Sequence, residues 1–339
     1  MSAFIDQHTA ALTDFFLKGL ESGKGRIRQK WDAGTIPGYA HNFATGQTYR
    51  GANQWGFLMA LDQLAERGVD VSDTRFGTYK QALSVGAQVR KGEKSFVGMK
   101  YAEVRGSKKD ERNENVEPDE LTRSRLVAVP FFVFHASQID GLPPMKKLEP
   151  RDIDERIAEA QKIVDDLRVP VSHGGDRAYY SPSQDRIQMP ERIAFKTDGD
   201  YMSVLLHECA HATGHPSRLN RKFGQRFGDP GYALEELRAE MASFDLCRRT
   251  SVPFNPDDHV QYVNHWIEAL RNDPKEIMRA AQDVEKIMTY LKVPEITYEK
   301  VPAIEQTKEQ AVQLPDPKAC LERMKTRSHS NGQGLSLSL

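Results

Sequence analysis

One stretch constrains this chain more than any other: Leu205-Leu206-His207-Glu208-Cys209-Ala210-His211-Ala212-Thr213-Gly214-His215. It contains His-Glu-x-x-His. As a helix it places His207 and His211 one turn apart on a single face. Two imidazoles at that spacing can bind one divalent metal through ring nitrogens roughly 2.0–2.1 Å away. Glu208 then stands where a general base takes a proton from the attacking water. Asp198 or Asp200 can cap such a helix, Val204 to Leu206 form an apolar block, and Gly214 with Pro216 ends it. The bland alternative is a surface helix carrying two ordinary histidines.

A catalytic zinc takes three protein ligands and leaves a position for water. The third ligand is expected from the helix Tyr232 to Arg249, whose Leu234, Leu237, Met241, Phe244 and Leu246 read as core. It carries Glu235, Glu236 and Glu240. Glu236 on the metal with Glu240 bonding a histidine N–H gives a ligand plus its orienting partner; the reverse assignment is the alternative. His215 is a further candidate, although Gly214 and Pro216 break the helix before it can turn back. Tyr232 or His215 could stabilise an oxyanion. Cys209 reads as a small buried apolar group. The expected cofactor is zinc or another divalent metal.

At 339 residues the chain should hold about two domains. No stretch approaches the roughly 20 apolar residues of a membrane span, so no membrane partner is expected. The N-terminus lacks a signal-peptide pattern. Cys209, Cys247 and Cys320 form no C-x-x-C, which suits a reducing cytoplasm. Charge is uneven: residues 1–109 hold 16 Lys+Arg against 10 Asp+Glu, so with a net charge of −1 overall the remainder carries −7. A basic first part points to a polyanion partner for that part alone.

Candidate contacts to phosphates and unstacked bases follow from residue type. Arg28 and Lys30 precede Trp31. Tyr49 and Trp55 can stack on bases, Arg50 can pair with phosphate, and Asn53 can bond a base edge. Arg90, Lys91 and Lys94 cluster around Gly92. The alternatives are that Asn53 caps the helix from Gln54 to Glu66 and that both aromatics are core. Strands are expected over Ser95–Val104 and Leu126–His135, with Pro130 marking an edge or bulge. Residues 105–125 are charged and aperiodic, a flexible loop.

The expected organisation is α+β: a basic first domain over 1–140, a linker over 141–150 and a second, zincin-like domain over 151–298 built around the His-Glu-x-x-His helix. This second domain begins with a helix from Asp152 to Leu167 and three short strands near 169–172, 178–180 and 186–189. Helices at 257–272 and 274–291 close it, and residues 299–339 read as a disordered tail.

Together these motifs resemble the ArdC family of antirestriction proteins of conjugative plasmids and other mobile elements, over roughly residues 10–295. The N-terminal marks are Thr48-Tyr49-Arg50-Gly51-Ala52-Asn53 and Gly86-Ala87-Gln88-Val89-Arg90-Lys91-Gly92-Glu93-Lys94. The C-terminal marks are Tyr179-Tyr180, Asp185-Arg186-Ile187, Met189-Pro190, the His207–His215 stretch, Arg218-Leu219-Asn220-Arg221, and Tyr232-Ala233-x-Glu235-Glu236-Leu237-x-Ala239-Glu240. The resemblance implies an N-terminal single-stranded DNA-binding domain, similar to that on plasmid TraC primases. It also implies a C-terminal zincin-like metallopeptidase domain and protection of incoming DNA from the recipient's restriction system. Possible protein partners are a host restriction enzyme or another protein substrate. Two rival readings remain: a DNA-binding protein whose zincin domain is an idle scaffold, and a protease for which DNA serves only delivery.

Overall fold

The computed structural model describes residues 2–21, 38–104, 125–146, 151–224, 230–253 and 263–304. Arg28, Lys30, most of the 105–125 loop and the tail beyond 304 lie outside these residues.

Alternation over 96–104 and 125–135 produces a long antiparallel hairpin, β4 (Phe96–Val104) against β5 (Arg125–His135). Its base joins β2 (Arg75–Gly77), which pairs in parallel with β1 (His41–Asn42), giving the order β1-β2-β5-β4. Pro130 is tolerated for a visible reason. It sits opposite Met99 in β4, beyond the reach of β2, and both backbone groups of Met99 turn instead to Asn53. No ladder bond is asked of Pro130 at that pair. Helix α2 (Ala52–Glu66) packs on β4, burying Phe57 against Phe76 and Val133. A small helix, α3 (Tyr79–Ser84), and the two-stranded pair β3 (Gln88–Val89) and β6 (Ile139–Asp140) complete this half.

In the second half, α4 (Ile153–Leu167) is capped by Asp152 and is followed by a three-stranded sheet. That sheet runs β7 (Val171–His173), β9 (Arg186–Met189), β8 (Tyr179–Ser181), with β7 parallel and β8 antiparallel to the centre. Helices α5 (Asp198–Ala212), α6 (Pro230–Thr250), α7 (Val263–Asn272) and α8 (Glu276–Tyr290) stack beside it, α5 on α6 and α6 on α8.

The two halves share a core. Leu12 and Phe16 of the first helix, α1 (Ser2–Glu21), and Trp55 of α2 belong to the same buried cluster as Leu206, Phe244 and Ile287. Near the other end, Thr297 bridges Gln47, and Tyr298 and Val301 donate their N–H groups to Gly46 and Phe43. Gly46 has φ 73°, and a Cβ there would fall 2.1 Å from the Tyr298 carbonyl oxygen, so this approach needs glycine. Residues 297–301 thus strap the second half to the first.

Candidate metal centre

Helix α5 starts at Thr197, whose hydroxyl accepts the Asp200 N–H at 3.0 Å. The expected caps Asp198 and Asp200 instead lie in the first turn, where their charge favours the helix dipole. The last turn is held from outside. Arg218 donates to the Ala212 carbonyl, and Arg221 donates to the Ala210 carbonyl and the Thr213 hydroxyl. These cations satisfy carbonyls that the helix leaves open.

His207 and His211 leave this helix on one buried face, towards α6. Their Nε2 atoms lie 3.1 Å apart. From α6, Glu236 places Oε1 3.5 Å from His211 Nε2 and Oε2 3.6 Å from His207 Nε2. Two nitrogens held tetrahedrally at 2.0–2.1 Å from one ion stand about 3.3 Å apart. The three edges of this triangle bracket that value, so the donor set fits a small divalent cation in size and chemistry. The ligand atoms all lie within 4.8 Å of one another.

Behind the rings sit two more carboxylates of the same helix. Glu235 Oε1 is 3.3 Å from His211 Nδ1, and Glu240 Oε2 is 3.5 Å from His207 Nδ1. Glu208 is only 7% exposed. His215 lies past the helix end, its Nδ1 accepting the Ser217 N–H, apart from the cluster. Tyr232 is half-buried in the first turn of α6.

The charges are strongly coupled. Burial presses the His207 imidazole down, yet Glu236 and Glu240 outweigh it and bring it up to about 9. His211 is likewise raised, against its burial, by the Glu236 charge and the Glu235 contact. Burial opposes ionisation of Glu236, but the two imidazoles hold it well below the usual carboxylate range. Burial raises Glu208. Carboxylates thus surround the two imidazoles, a setting that favours a bound cation.

The DNA-contact candidates are placed very differently. Trp55 is 4% exposed, wedged between Phe16 and Phe244 with ring centroids 5.5 Å from each, so it presents no face to a base. Asn53 neither caps α2, whose N-cap is Gly51, nor points outward. Its amide donates to the Met99 carbonyl and accepts the Met99 N–H, both at 2.7 Å. Arg50 is exposed but paired with Glu285 at 2.9 Å and Glu295 at 2.8 Å. Tyr49 is half-buried against Phe57 and Phe131, and its hydroxyl accepts from Asn42. Arg90 pairs with Glu93 and Asp140. Lys91 and Lys94 are exposed, and among the described residues neither forms an ion pair.

Sequence reasoning assigned no role to Arg221, Arg218 with Asp185 and Tyr180, or the joint of Tyr39 with Asp245 and Arg248. Arg218 is paired with Asp185 and donates to the Tyr180 hydroxyl. Tyr39 donates to Asp245 while the Arg248 guanidinium lies 3.9 Å over its ring. No described helix is long and apolar enough to cross a membrane.

Comparison with known proteins agrees with this division. Residues 6–134 match the model of the N-terminal domain of anti-restriction factor ArdC, and residues 158–283 match a zincin-like metallopeptidase. Two Escherichia coli DNA primases TraC are 37% and 39% identical over 88% and 81% of this chain. The alignments cover only 28% and 19% of those primases, so the chain spans about a quarter of their length or less. A Sinorhizobium fredii (strain NBRC 101917 / NGR234) protein, y4eC, is 34% identical over 83% of this chain and 90% of its own length. Crystal structures of the antirestriction ArdC protein from plasmid R388, metal-free and Mn(II)-bound, superpose with TM-scores of 0.64 and 0.63. They are 29% identical, over 84% of this chain and 96% of theirs. A fold of two α+β halves, a buried two-histidine cluster and these matches lead to one conclusion: the chain belongs to the ArdC family of antirestriction proteins.

Proposed function

We propose that this protein shields incoming mobile-element DNA from host restriction, binding single-stranded DNA through its first domain and holding one divalent metal in its second. The observation that carries the metal reading is the convergence of His207, His211 and Glu236, with Glu208 one residue along. Two imidazoles and a carboxylate suit zinc, and the set also accepts manganese. Mn(II) was the ion found in the R388 protein.

A metal bound there would act as a Lewis acid, polarising a peptide carbonyl and acidifying a water. Glu208 would take the proton of the attacking water and hand it to the leaving amine. Glu240 and Glu235 lie beside the far nitrogens of the two rings, placed to keep each Nε2 turned inward. The DNA reading rests on the basic bias of residues 1–109 and on exposed Lys91 and Lys94.

The test is transfer of an unmodified plasmid into a restricting recipient, comparing wild type with Glu208→Gln and Lys91→Glu/Lys94→Glu. Loss of protection in both variants is expected. Full protection by Glu208→Gln would remove hydrolysis from the function and favour the idle-scaffold reading.

A further inference from the structure

Arg221 is an unusual residue for a loop. Its side chain is almost fully buried, and so is that of its partner Glu235. The guanidinium grips that carboxylate with both arms, Nε to Oε2 at 3.0 Å and Nη2 to Oε1 at 2.6 Å. The same group donates to the Ala210 carbonyl and the Thr213 hydroxyl, each at 2.8 Å. One cation thus ties the last turn of α5, which carries His211, to the turn of α6 that carries Glu236.

The geometry leads on to His211. Glu235 Oε1, already held by Arg221, lies 3.3 Å from His211 Nδ1. Glu236, the next residue, lies 3.5 Å from His211 Nε2. Two consecutive glutamates therefore flank one imidazole. A ring that offers its Nε2 lone pair to a metal carries its proton on Nδ1, and that proton needs an acceptor. A lone carboxylate this deeply buried would be costly; a forked guanidinium offsets the cost and fixes its plane. The loop leaves room for this arm only because position 214 is glycine. A Cβ there would fall 2.9 Å from Arg221 Nη2 and 2.7 Å from the Phe223 ring.

We propose that Arg221 and Glu235 are a positioning pair, one device that locks the tautomer and direction of His211 and the spacing of α5 from α6, and so sets divalent-metal affinity. The inference rests on the metal reading above.

The experiment is calorimetric titration of Zn(II) and Mn(II) into the full-length metal-free protein. Glu235→Ala should weaken binding about 10–100-fold. Arg221→Ala should weaken it similarly, and the double variant no further than the worse single one, because the two act together. Arg221→Lys, which keeps the charge without the fork, should recover part of the loss. Should a variant fail to fold, the wild type still decides. In ¹⁵N-edited NMR of the Zn(II)-loaded protein, His211 should show a Nδ1–H protected from solvent exchange. Folded variants within threefold of wild-type affinity, or a wild-type His211 Nδ1–H exchanging as fast as in free imidazole, overturn the pair. A wild type that binds neither ion instead overturns the metal reading itself.

Discussion

Trp55, in the first half of the chain, packs its ring 5.5 Å from Phe244, eight residues beyond Glu236 on the same helix. The helix that brings Glu236 to His207 and His211 is therefore backed by the opposite domain. Asp245 and Arg248, on its next turn, hold Tyr39 of that domain as well. The two domains that family models separate are joined at the level of the core.

Trp55→Ala should accordingly act on both halves. Emptying a large buried aromatic site costs about 3–5 kcal/mol. Thermal unfolding should drop as one cooperative transition rather than split into two, and metal affinity should weaken with it. Differential scanning calorimetry checks the first, and titration the second. A normal melting profile, or loss confined to one of two separate transitions, would contradict a shared core.

Asn53→Ala should remove two bonds to Met99 and leave edge strand β4 unsatisfied there, costing about 1–3 kcal/mol. The Met99 amide should exchange with solvent faster, by NMR, while amides of α5 keep their protection. DNA affinity should change little at fixed fold. A large affinity loss with unchanged Met99 exchange would restore Asn53 as a direct contact.

These two residues mark the limit of what the sequence made legible. The helix spacing of His207 and His211 is local, so one turn of regular geometry already fixes it, and Glu236 could be narrowed to one helix because that helix also carries a core stripe. Long alternating strands and amphipathic helices were readable for the same reason. Asn53 and Arg50 were not, and for Trp55 the core position stood only as the alternative to base stacking. Each is a polar or aromatic residue in a basic half, and residue type does not say whether its partner is a nucleotide or a neighbouring domain. Asn53 satisfies a strand 46 residues away, and Arg50 pairs with glutamates 235 and 245 residues away. Arg221 left no periodic signal, being a single cation in a loop whose use depends on two helices meeting.

His41 predicts an acid sensitivity. Burial holds its ring down at about 4, against an ordinary value of 6.5. The unfolded chain takes up this proton near pH 6.5, whereas the folded one resists it until about 4. The neutral ring's contribution is thus complete above about pH 6.5 and is lost as the pH falls towards 4, by up to about 3 kcal/mol. Chemical unfolding at a series of pH values should show this slope, and His41→Asn should flatten it. The ring stacks on Tyr298 at 3.7 Å, so loss of the strap over residues 297–301 should accompany the titration.

Lys91→Glu with Lys94→Glu should weaken binding of a single-stranded oligonucleotide and lower its salt dependence. Each lost phosphate contact removes about 0.7 from the slope of log K against log salt. Fluorescence anisotropy across a salt series measures this directly. An unchanged slope would place the DNA surface elsewhere.

The central claim is that His207, His211 and Glu236 bind one divalent ion, and elemental analysis of the purified full-length protein after loading and desalting tests it most directly. One equivalent of zinc or manganese is expected in the wild type and in Glu208→Gln, falling to background in His211→Ala and Glu236→Ala. A wild type without stoichiometric metal, or a His211→Ala protein that keeps a full equivalent, would contradict the account.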